Sequence, residues 1–303
     1  MPKSIGWSIN FHFLIKGGTR FETYAGSMKY SAAIVLMVSV FAASPYLILF
    51  LPLVDSKATP SCSRNFYKGV ENSATMIILD PVSPFTIDDP VYGYEEVGDP
   101  VLVDILNSEC MARIKGINQY GPPRVWYHTD GFSRFDHCVG TMILLRRLGA
   151  TIEEQVAGLL HDASHYAFSH VADWVLGSVS GEDNADIEHG SILRRFGVER
   201  LLLCHGIELG SILGKGKYLL LEQPAPALCA DRIDYTLREV SLTHKDPVTS
   251  SRLAASLRNV DGRIVFDDSP SAIEFAMLYL RCNESHWAGP EAVIRYNRFS
   301  YRC

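Results

Sequence analysis

Three histidines and an aspartate are concentrated in the stretch GLLHDASHYAFSH at residues 158–170. His161 and Asp162 are adjacent, so an imidazole nitrogen and a carboxylate oxygen can reach the same ion. His165 follows four residues after His161, which would place both on one face of a continuing helix. The pattern predicts part of a metal site, because a metal takes four to six ligands and this stretch cannot supply all of them.

Further candidate ligands lie on both sides of this stretch. His137 stands in the first turn of the predicted helix DHCVGTMILLRR, three residues after Arg134. Asp231, Tyr235 and Glu239 are spaced i, i+4 and i+8, so they share one helix face that is polar where a structural helix would present leucine. A hydrogen-bonded surface or core imidazole explains any one histidine alone, but the combination H…HD…D favours a shared ion.

The bulk composition narrows the class of protein. The 303 residues are 47% hydrophobic and 20% charged, as in a globular protein. A net charge of −6 gives no basic field, so we predict no specific nucleic-acid binding. The seven cysteines include no C-x-x-C pair that would indicate a zinc ribbon, and GKGK at 214–217 lacks the frame of a P-loop.

Apolar periodicity predicts an all-α domain with little strand. A short β-hairpin is expected within 86–96, and Pro100 opens an amphipathic helix through about Ile117. RIVF at 263–266 is a further strand candidate. The remaining helices are expected at about 135–148, 152–162, 168–177, 187–196, 226–241 and 270–283.

The N-terminal region contains an apolar segment, 31–54, without a charge over 24 positions. About 20 apolar residues can cross a bilayer, so the segment predicts a transmembrane helix or a signal sequence, although two prolines weaken a straight helix. The alternative is an extension irrelevant to the fold. We divide the chain into this extension with its polar linker, 1–75, and one domain, 76–303. Insertion of 31–54 would make the protein membrane-associated; otherwise a cytoplasmic location is expected.

The motifs resemble, in the same order, those of the HD superfamily of metal-dependent phosphohydrolases, and within it the deoxynucleoside triphosphate triphosphohydrolase branch. DPVYG at 89–93 is similar to that branch's DPxHG turn, and MARIKGINQYG at 111–121 to its FQRLRxIKQLG helix. SRFDH, LLHDASHYAFSH and ADRIDYTLRE resemble xRFEH, LxHDxGHxPFSH and xDxxDYxxRD. The resemblance covers roughly 86–240 and implies an HD-domain helical bundle with a short β-hairpin at its N-terminal edge.

The resemblance also implies a metal centre. His137, His161, Asp162 and Asp231 would hold one divalent cation, and Mn²⁺, Fe²⁺, Zn²⁺ and Mg²⁺ all suit two imidazoles and two carboxylates. Such a cation polarises a phosphoryl oxygen and lowers the pKa of bound water.

Catalytic and substrate-binding roles follow from the same resemblance. His165 would act at the scissile phosphate, and the carboxylate of Asp173 would orient an imidazole. His189 would be a second catalytic histidine. Arg134 would bind phosphate oxygens. The residues expected to contact the deoxyribose, including its 3′-hydroxyl, are Gln119, Tyr235 and Glu239, for which a solvated helix face is the alternative.

Several positions depart from the family pattern. The order Glu188-His189 is reversed relative to the family's HE pair, so His189 could be displaced by a turn. Tyr120 replaces a leucine that flanks the sugar, and its larger ring could reshape or exclude a deoxyribose. Ala163-Ser164 stands where the family has a hydrophobe and glycine. The 72 residues after Asp231 are fewer than in the family's long forms, whose added helices complete the nucleotide pocket and build oligomer surfaces.

Two classes of function are therefore predicted. The first is metal-dependent hydrolysis of a nucleotide phosphoester, foremost a dNTP to deoxynucleoside and triphosphate, with a nucleoside monophosphate phosphatase or phosphodiesterase of the same fold as the alternative. The second is a non-catalytic module that binds a metal or nucleotide. A nucleotide is the expected small-molecule partner, and an oligomer is possible.

Overall fold

The computed structural model of the chain describes residues 83–127, 131–176, 184–214 and 216–300. The predicted extension 1–75, with its apolar segment 31–54, lies outside these ranges, so the division of the chain stays a prediction. The transmembrane prediction is corrected by the helices themselves: across the described ranges, none is both long and apolar enough to cross a bilayer.

The described chain is mainly helical, which confirms the predicted all-α class with a hairpin at its N-terminal edge. Strands β1 (Phe85–Asp89) and β2 (Gly93–Val97) pair antiparallel, with Phe85 opposite Val97. The helices are α1 (Pro100–Leu106), α2 (Glu109–Ile114), α3 (Arg134–Arg147), α4 (Ile152–Leu160), α5 (Val171–Leu176), α6 (Asn184–Arg195), α7 (Val198–Cys204), α8 (Leu209–Ile212), α9 (Ala230–Leu242), α10 (Pro247–Ala255), α11 (Ser269–Cys282) and α12 (Pro290–Ser300).

The predicted helix from Pro100 to Ile117 is two helices. Asn107 ends α1, and its side chain donates to the carbonyl oxygen of Val103 at 2.9 Å. Ser108 then caps α2 by accepting a hydrogen bond from the N–H of Met111 at 3.3 Å. Short polar side chains that bind the neighbouring backbone stop one helix and start the next, so the apolar period continues across a break.

Helix α3 is the centre of the core, because it packs against both α4 and α9. The N-terminus of α3 is fixed by a capping box, in which the side chains of Ser133 and Asp136 each accept the other residue's backbone N–H. The fully buried Met142 and Ile143 of α3 belong to the same hydrophobic core as Leu159 of α4 and Leu237 of α9. The ligand candidates lie in the first turn of α3, directly after α4 and in the first turn of α9, so the packing of these three helices brings them together.

The C-terminal third of the described chain adds a second hairpin and two helices. The strand predicted at 263–266 is confirmed as β4 (Arg263–Phe266), which pairs antiparallel with β3 (Leu257–Val260). Helix α11 continues into a π-helical turn at Asn283–Trp287, and α12 then packs against α5. These elements reach back to the region of the predicted site.

Candidate metal centre and adjoining cavity

The predicted ligands His137, His161 and Asp162 have donor atoms that all lie within 4.8 Å of one another, and Asp231 lies beside the two imidazoles. Nε2 of His137 lies 3.0 Å from Oδ1 of Asp231, 3.2 Å from Nε2 of His161 and 3.8 Å from Oδ2 of Asp162. Nε2 of His161 lies 3.5 Å from Oδ1 of Asp231 and 3.8 Å from Oδ2 of Asp162. Ligands that each lie about 2.1 Å from a shared ion are separated by roughly 3.0–3.5 Å, so these spacings match a single cation after small adjustments.

The hydrogen bonds behind the two imidazoles fix their tautomers. Nδ1 of His161 lies 2.7 Å from the carbonyl oxygen of Gly158, which can only accept a hydrogen bond, so Nδ1 carries the proton. Nδ1 of His137 likewise donates to Oδ2 of Asp234 at 2.7 Å. In the neutral imidazoles both Nε2 atoms direct lone pairs at the same point, and they are only 3.2 Å apart. Burial lowers the pKa of both rings, but the neighbouring carboxylates raise it above its usual value, so the site favours a positive charge at this point. Two facing lone pairs repel unless a cation lies between them, so the residues fit a divalent metal.

The two carboxylates are kept ionised, although Asp162 is buried and Asp231 is partly buried. Burial raises the pKa of Asp162, but the Arg134 guanidinium and two neighbouring histidines hold it well below its usual range. For Asp231, burial again raises the pKa, and hydrogen bonds from His137 and His161 lower it below the usual range. Ionised carboxylates are the form in which these residues bind a metal.

A buried chain of charges supports His137 from behind. Arg238 donates to Asp234 through Nε at 3.1 Å and Nη2 at 2.9 Å, and its Nη1 lies 2.9 Å from Oδ2 of Asp89. Asp89 in turn accepts the backbone N–H groups of Val91 and Tyr92 in the turn of the first hairpin. The predicted ligand His137 in α3 and Arg238 of α9 are therefore linked through Asp234 by charge-assisted hydrogen bonds, and the Arg238–Asp89 ion pair extends the link to the hairpin.

Arg134 is buried and paired within the protein, whereas the sequence predicted an arginine that binds phosphate oxygens. It is 1% exposed, its Nη1 pairs with Oδ2 of Asp162, and its Nε donates to Oγ of Ser169 at 3.0 Å. Its Nη2 is buried and has no hydrogen-bond partner within the described ranges. Arg134 thus orients the predicted metal ligand Asp162, while contact with phosphate stays a prediction for its Nη2.

The predicted catalytic histidines lie beside the metal centre. Nε2 of His165 is 3.1 Å from Oδ1 of Asp162, and burial together with Arg134 lowers the pKa of His165 to about 4. Nδ1 of His189 is 2.9 Å from Oγ of Ser164, and burial with the charge of His161 lowers its pKa to about 4. Both imidazoles are neutral near pH 7. Asp173 belongs to α5, but its side chain lies outside the described part of the chain.

A cavity of about 490 Å³ adjoins the metal centre. Its volume is typical of a small-molecule site. Tyr235 lines it and has its ring centroid 6.2 Å from that of His137, which connects the cavity to the ligands. Gln119 also lines it, with a buried Oε1 that has no hydrogen-bond partner in the described residues. The other aromatic side chains of the wall are Tyr120, Tyr127, Phe132, Tyr279, Trp287 and Tyr296.

The third residue predicted to contact a sugar has a different position. Glu239 is fully buried behind the cavity wall, where the hydroxyl of Tyr120 donates to its Oε2. Burial raises the pKa of Glu239 to about 7, against hydrogen bonds from Tyr120, Thr243 and Trp287 that lower it. Gln119 and Tyr235 are thus at the cavity surface, and Glu239 is not.

Comparison with known proteins agrees with this geometry. The family model of the HD domain matches residues 134–239, which include all four ligands. The chain contains an HD domain. The metal-dependent phosphohydrolase cns2 of Cordyceps militaris is 34% identical over 219 residues, which cover 70% of this chain and 63% of that protein. The deoxynucleoside triphosphate triphosphohydrolase SAMHD1 of Bos taurus is 30% identical over 102 residues, covering 29% of this chain and 17% of that protein.

A solved structure shares the fold. The phosphohydrolase from Bacteroides thetaiotaomicron VPI-5482 superposes with a TM-score of 0.52 at 24% identity, covering 69% of this chain and 56% of that one. The chain spans less than two thirds of the length of each of these three proteins.

The HD domain depends on residues that the sequence analysis missed. Asp234 lies one turn after Asp231, and its signal was an aspartate on the otherwise apolar face of an amphipathic helix. Arg113 of α2 donates to the carbonyl oxygens of Ala163 and His165 and so fixes the loop between His161 and His165. Trp287 and Tyr296 line the cavity from outside the HD domain. The π-helical turn after α11 and helix α12 therefore form part of the pocket wall.

Proposed function

We propose that the protein is a metal-dependent phosphohydrolase that cleaves a phosphoester of a nucleotide. The observation that carries the proposal is the cluster of His137, His161 and Asp162 beside an aromatic cavity, with Asp231 next to the two imidazoles. The name and similarity of the Cordyceps militaris relative support the reaction class. When bound, a divalent cation supplies Lewis acidity toward a phosphoryl oxygen and a nucleophilic water near neutral pH.

The chain's own residues have separable tasks in this reaction. His137 and His161 bind the cation and are oriented by Asp234 and the Gly158 carbonyl group. Arg134 fixes Asp162 and presents Nη2 toward a phosphate oxygen. His165, neutral because burial lowers its pKa, holds Nδ1 without a hydrogen-bond partner in the described chain and can accept a proton there.

For the substrate, we propose a dNTP first and a nucleoside monophosphate second. The motif pattern and the similarity to SAMHD1 over 102 residues support the dNTP, with release of triphosphate. One contact favours the nucleoside monophosphate. The hydroxyl of Tyr120 donates to Glu239, so the carboxylate expected to bind the deoxyribose 3′-hydroxyl of a dNTP is already paired.

Hydrolysis by the full chain tests the proposal. The protein is incubated with Mn²⁺ and, separately, with the four dNTPs, the NTPs and nucleoside monophosphates, and phosphorus NMR identifies the product. Triphosphate from dNTPs supports the first substrate, and orthophosphate from monophosphates supports the second. Asp162→Ala is the control and is expected to abolish turnover. A folded, metal-loaded protein that hydrolyses none of these compounds contradicts the proposal and favours a binding module.

A further inference from the structure

Tyr120 covers a buried carboxylate on the side of the cavity. Its hydroxyl donates to Oε2 of Glu239, and Oγ1 of Thr243 lies 3.5 Å from the same hydroxyl. Tyr120 lines the cavity, whereas Glu239 is 0% exposed and does not. The Tyr120 side chain therefore separates this carboxylate from anything bound in the cavity.

The ring of Tyr120 is held in this position from several sides. It stacks on Tyr127 with ring centroids 4.8 Å apart and planes 21° from parallel, and it meets the edge of Phe132 at 6.0 Å. The hydroxyl of Tyr296 in α12 donates to the carbonyl oxygen of Tyr120. A ring fixed by stacking and by backbone contacts does not readily move aside for a ligand.

The contact changes what the cavity can recognise. A free carboxylate in a pocket wall accepts a hydrogen bond from a ligand hydroxyl, and a hydrogen bond to a charged group contributes about 1.5–3 kcal/mol, or about 10- to 100-fold in affinity. Here Oε2 of that carboxylate accepts the Tyr120 hydroxyl, and Oε1 is buried behind the cavity wall. The rest of the wall consists mainly of aromatic rings, and its other polar side chains are Gln119, His170 and Asn283. Such a wall suits a flat ring with a polar edge.

We propose that Tyr120 is a specificity-determining residue whose hydroxyl takes the carboxylate of Glu239, so that the cavity binds the base of a nucleotide by stacking and does not read the ribose hydroxyls. The proposal rests on the proposed function in taking a nucleotide as the ligand. It predicts that removing the ribose hydroxyls from the ligand costs the wild-type protein little affinity.

Binding of three adenine nucleotides to the full chain tests this. AMP, dAMP and 2′,3′-dideoxy-AMP are titrated by calorimetry in metal-free buffer, where turnover is not expected. The wild-type protein should bind all three with dissociation constants within about threefold. Tyr120→Leu opens the path to Glu239, so it should bind a hydroxyl-bearing nucleotide about 10-fold or more tightly than the dideoxy form. Adding Glu239→Gln to Tyr120→Leu should reduce that preference.

Tyr94→Phe is the matched control, because it removes a tyrosine hydroxyl from an exposed ring of β2 that does not line the cavity. It should behave as the wild type. A wild-type preference of 10-fold or more for dAMP over the dideoxy form would overturn the proposal, as would failure of the wild type to bind any of the three. This wild-type comparison decides the question even if Tyr120→Leu does not fold.

Turnover of the same nucleotides with Mn²⁺ separates this inference from the proposed function. Equal binding without hydrolysis supports the role of Tyr120 and contradicts the monophosphatase, while hydrolysis of the dNTPs tests the triphosphohydrolase separately. Hydrolysis with a strong dependence on the ribose hydroxyls supports the hydrolase and overturns the role of Tyr120.

Discussion

Nδ1 of His137 lies 2.7 Å from Oδ2 of Asp234, and neither side chain is exposed to solvent. The carboxylate fixes the tautomer in which Nε2 carries the lone pair, and Arg238 holds the carboxylate in place through two hydrogen bonds. A residue that binds no metal itself thus determines where a predicted ligand points. Such supporting contacts commonly matter as much for metal affinity as an extra ligand does.

Asp234→Asn is expected to weaken Mn²⁺ binding by about 10- to 100-fold, because the amide can donate to Nδ1 and so move the lone pair away from Nε2. Metal affinity is measured by equilibrium dialysis of the full chain, together with its thermal unfolding. Asp267→Asn, which alters a surface pair with Arg258, is the control and should bind Mn²⁺ as the wild type does. Unchanged affinity in a folded Asp234→Asn protein would contradict the role of Asp234.

Glu154 connects the helix before His161 with the segment before Asp231. Its Oε1 accepts the backbone N–H groups of Leu220 at 2.9 Å and Leu221 at 3.2 Å. The carbonyl oxygens of these two residues accept the N–H groups that open α9, among them that of Asp231 at 3.3 Å. The side chain therefore fixes the start of α9 relative to α4.

Glu154→Ala is expected to lower the free energy of unfolding by about 2–4 kcal/mol, since it leaves two buried N–H groups without an acceptor. Glu154→Gln retains an acceptor oxygen at the same place, so it should keep most of the free energy of unfolding that the alanine variant loses. Urea unfolding of both variants measures the difference. Equal destabilisation by alanine and glutamine would show that the two hydrogen bonds are not what Glu154 contributes.

Gly140 of α3 is expected to tolerate no side chain. A Cβ there would collide with Nη2 of Arg238 and Oδ1 of Asp234, both of which are buried and paired. Gly140→Ala should therefore destabilise the fold by about 3–5 kcal/mol, the cost of breaking a buried ion pair. Thermal unfolding measures it. Gly98→Ala is the control, because a Cβ at that position meets nothing within 4 Å. Comparable stability of the two variants would contradict this expectation.

Glu239 is expected to make stability depend on pH. Burial raises its pKa from 4.5 to about 7, so between these values the folded protein retains a proton that the unfolded chain releases. The contribution of Glu239 is then fully present below pH 4.5 and is lost as the pH rises through 7, by up to about 3 kcal/mol.

Glu239→Gln should remove this decline, and urea unfolding of both proteins at pH 5 and pH 8 measures it. Glu274→Gln, which alters a surface carboxylate paired with Arg252, should follow the wild type. A parallel pH dependence of wild type and Glu239→Gln would show that the carboxyl does not bind a proton in this window.

The clustering of the candidate metal ligands was predictable because its signals are local. The adjacency of His161 and Asp162 and the first-turn positions of His137 and Asp231 follow from spacing along predicted helices, and helical periodicity arises between neighbours in the chain. The hairpin at 86–96 and the strand at 263–266 were predicted for the same reason. The single helix from Pro100 was not, because side-chain caps at Asn107 and Ser108 interrupt it without interrupting the apolar period.

The sequence by itself determined the helical class, the residue types of the ligand set and the family to which these motifs belong. Only the tertiary structure decided which residues support or cover them. Asp234 reaches His137 across 97 positions, and Tyr120 reaches Glu239 across 119. Such pairs depend on how α3, α9 and the loop after α2 pack against one another, and no local propensity encodes that packing.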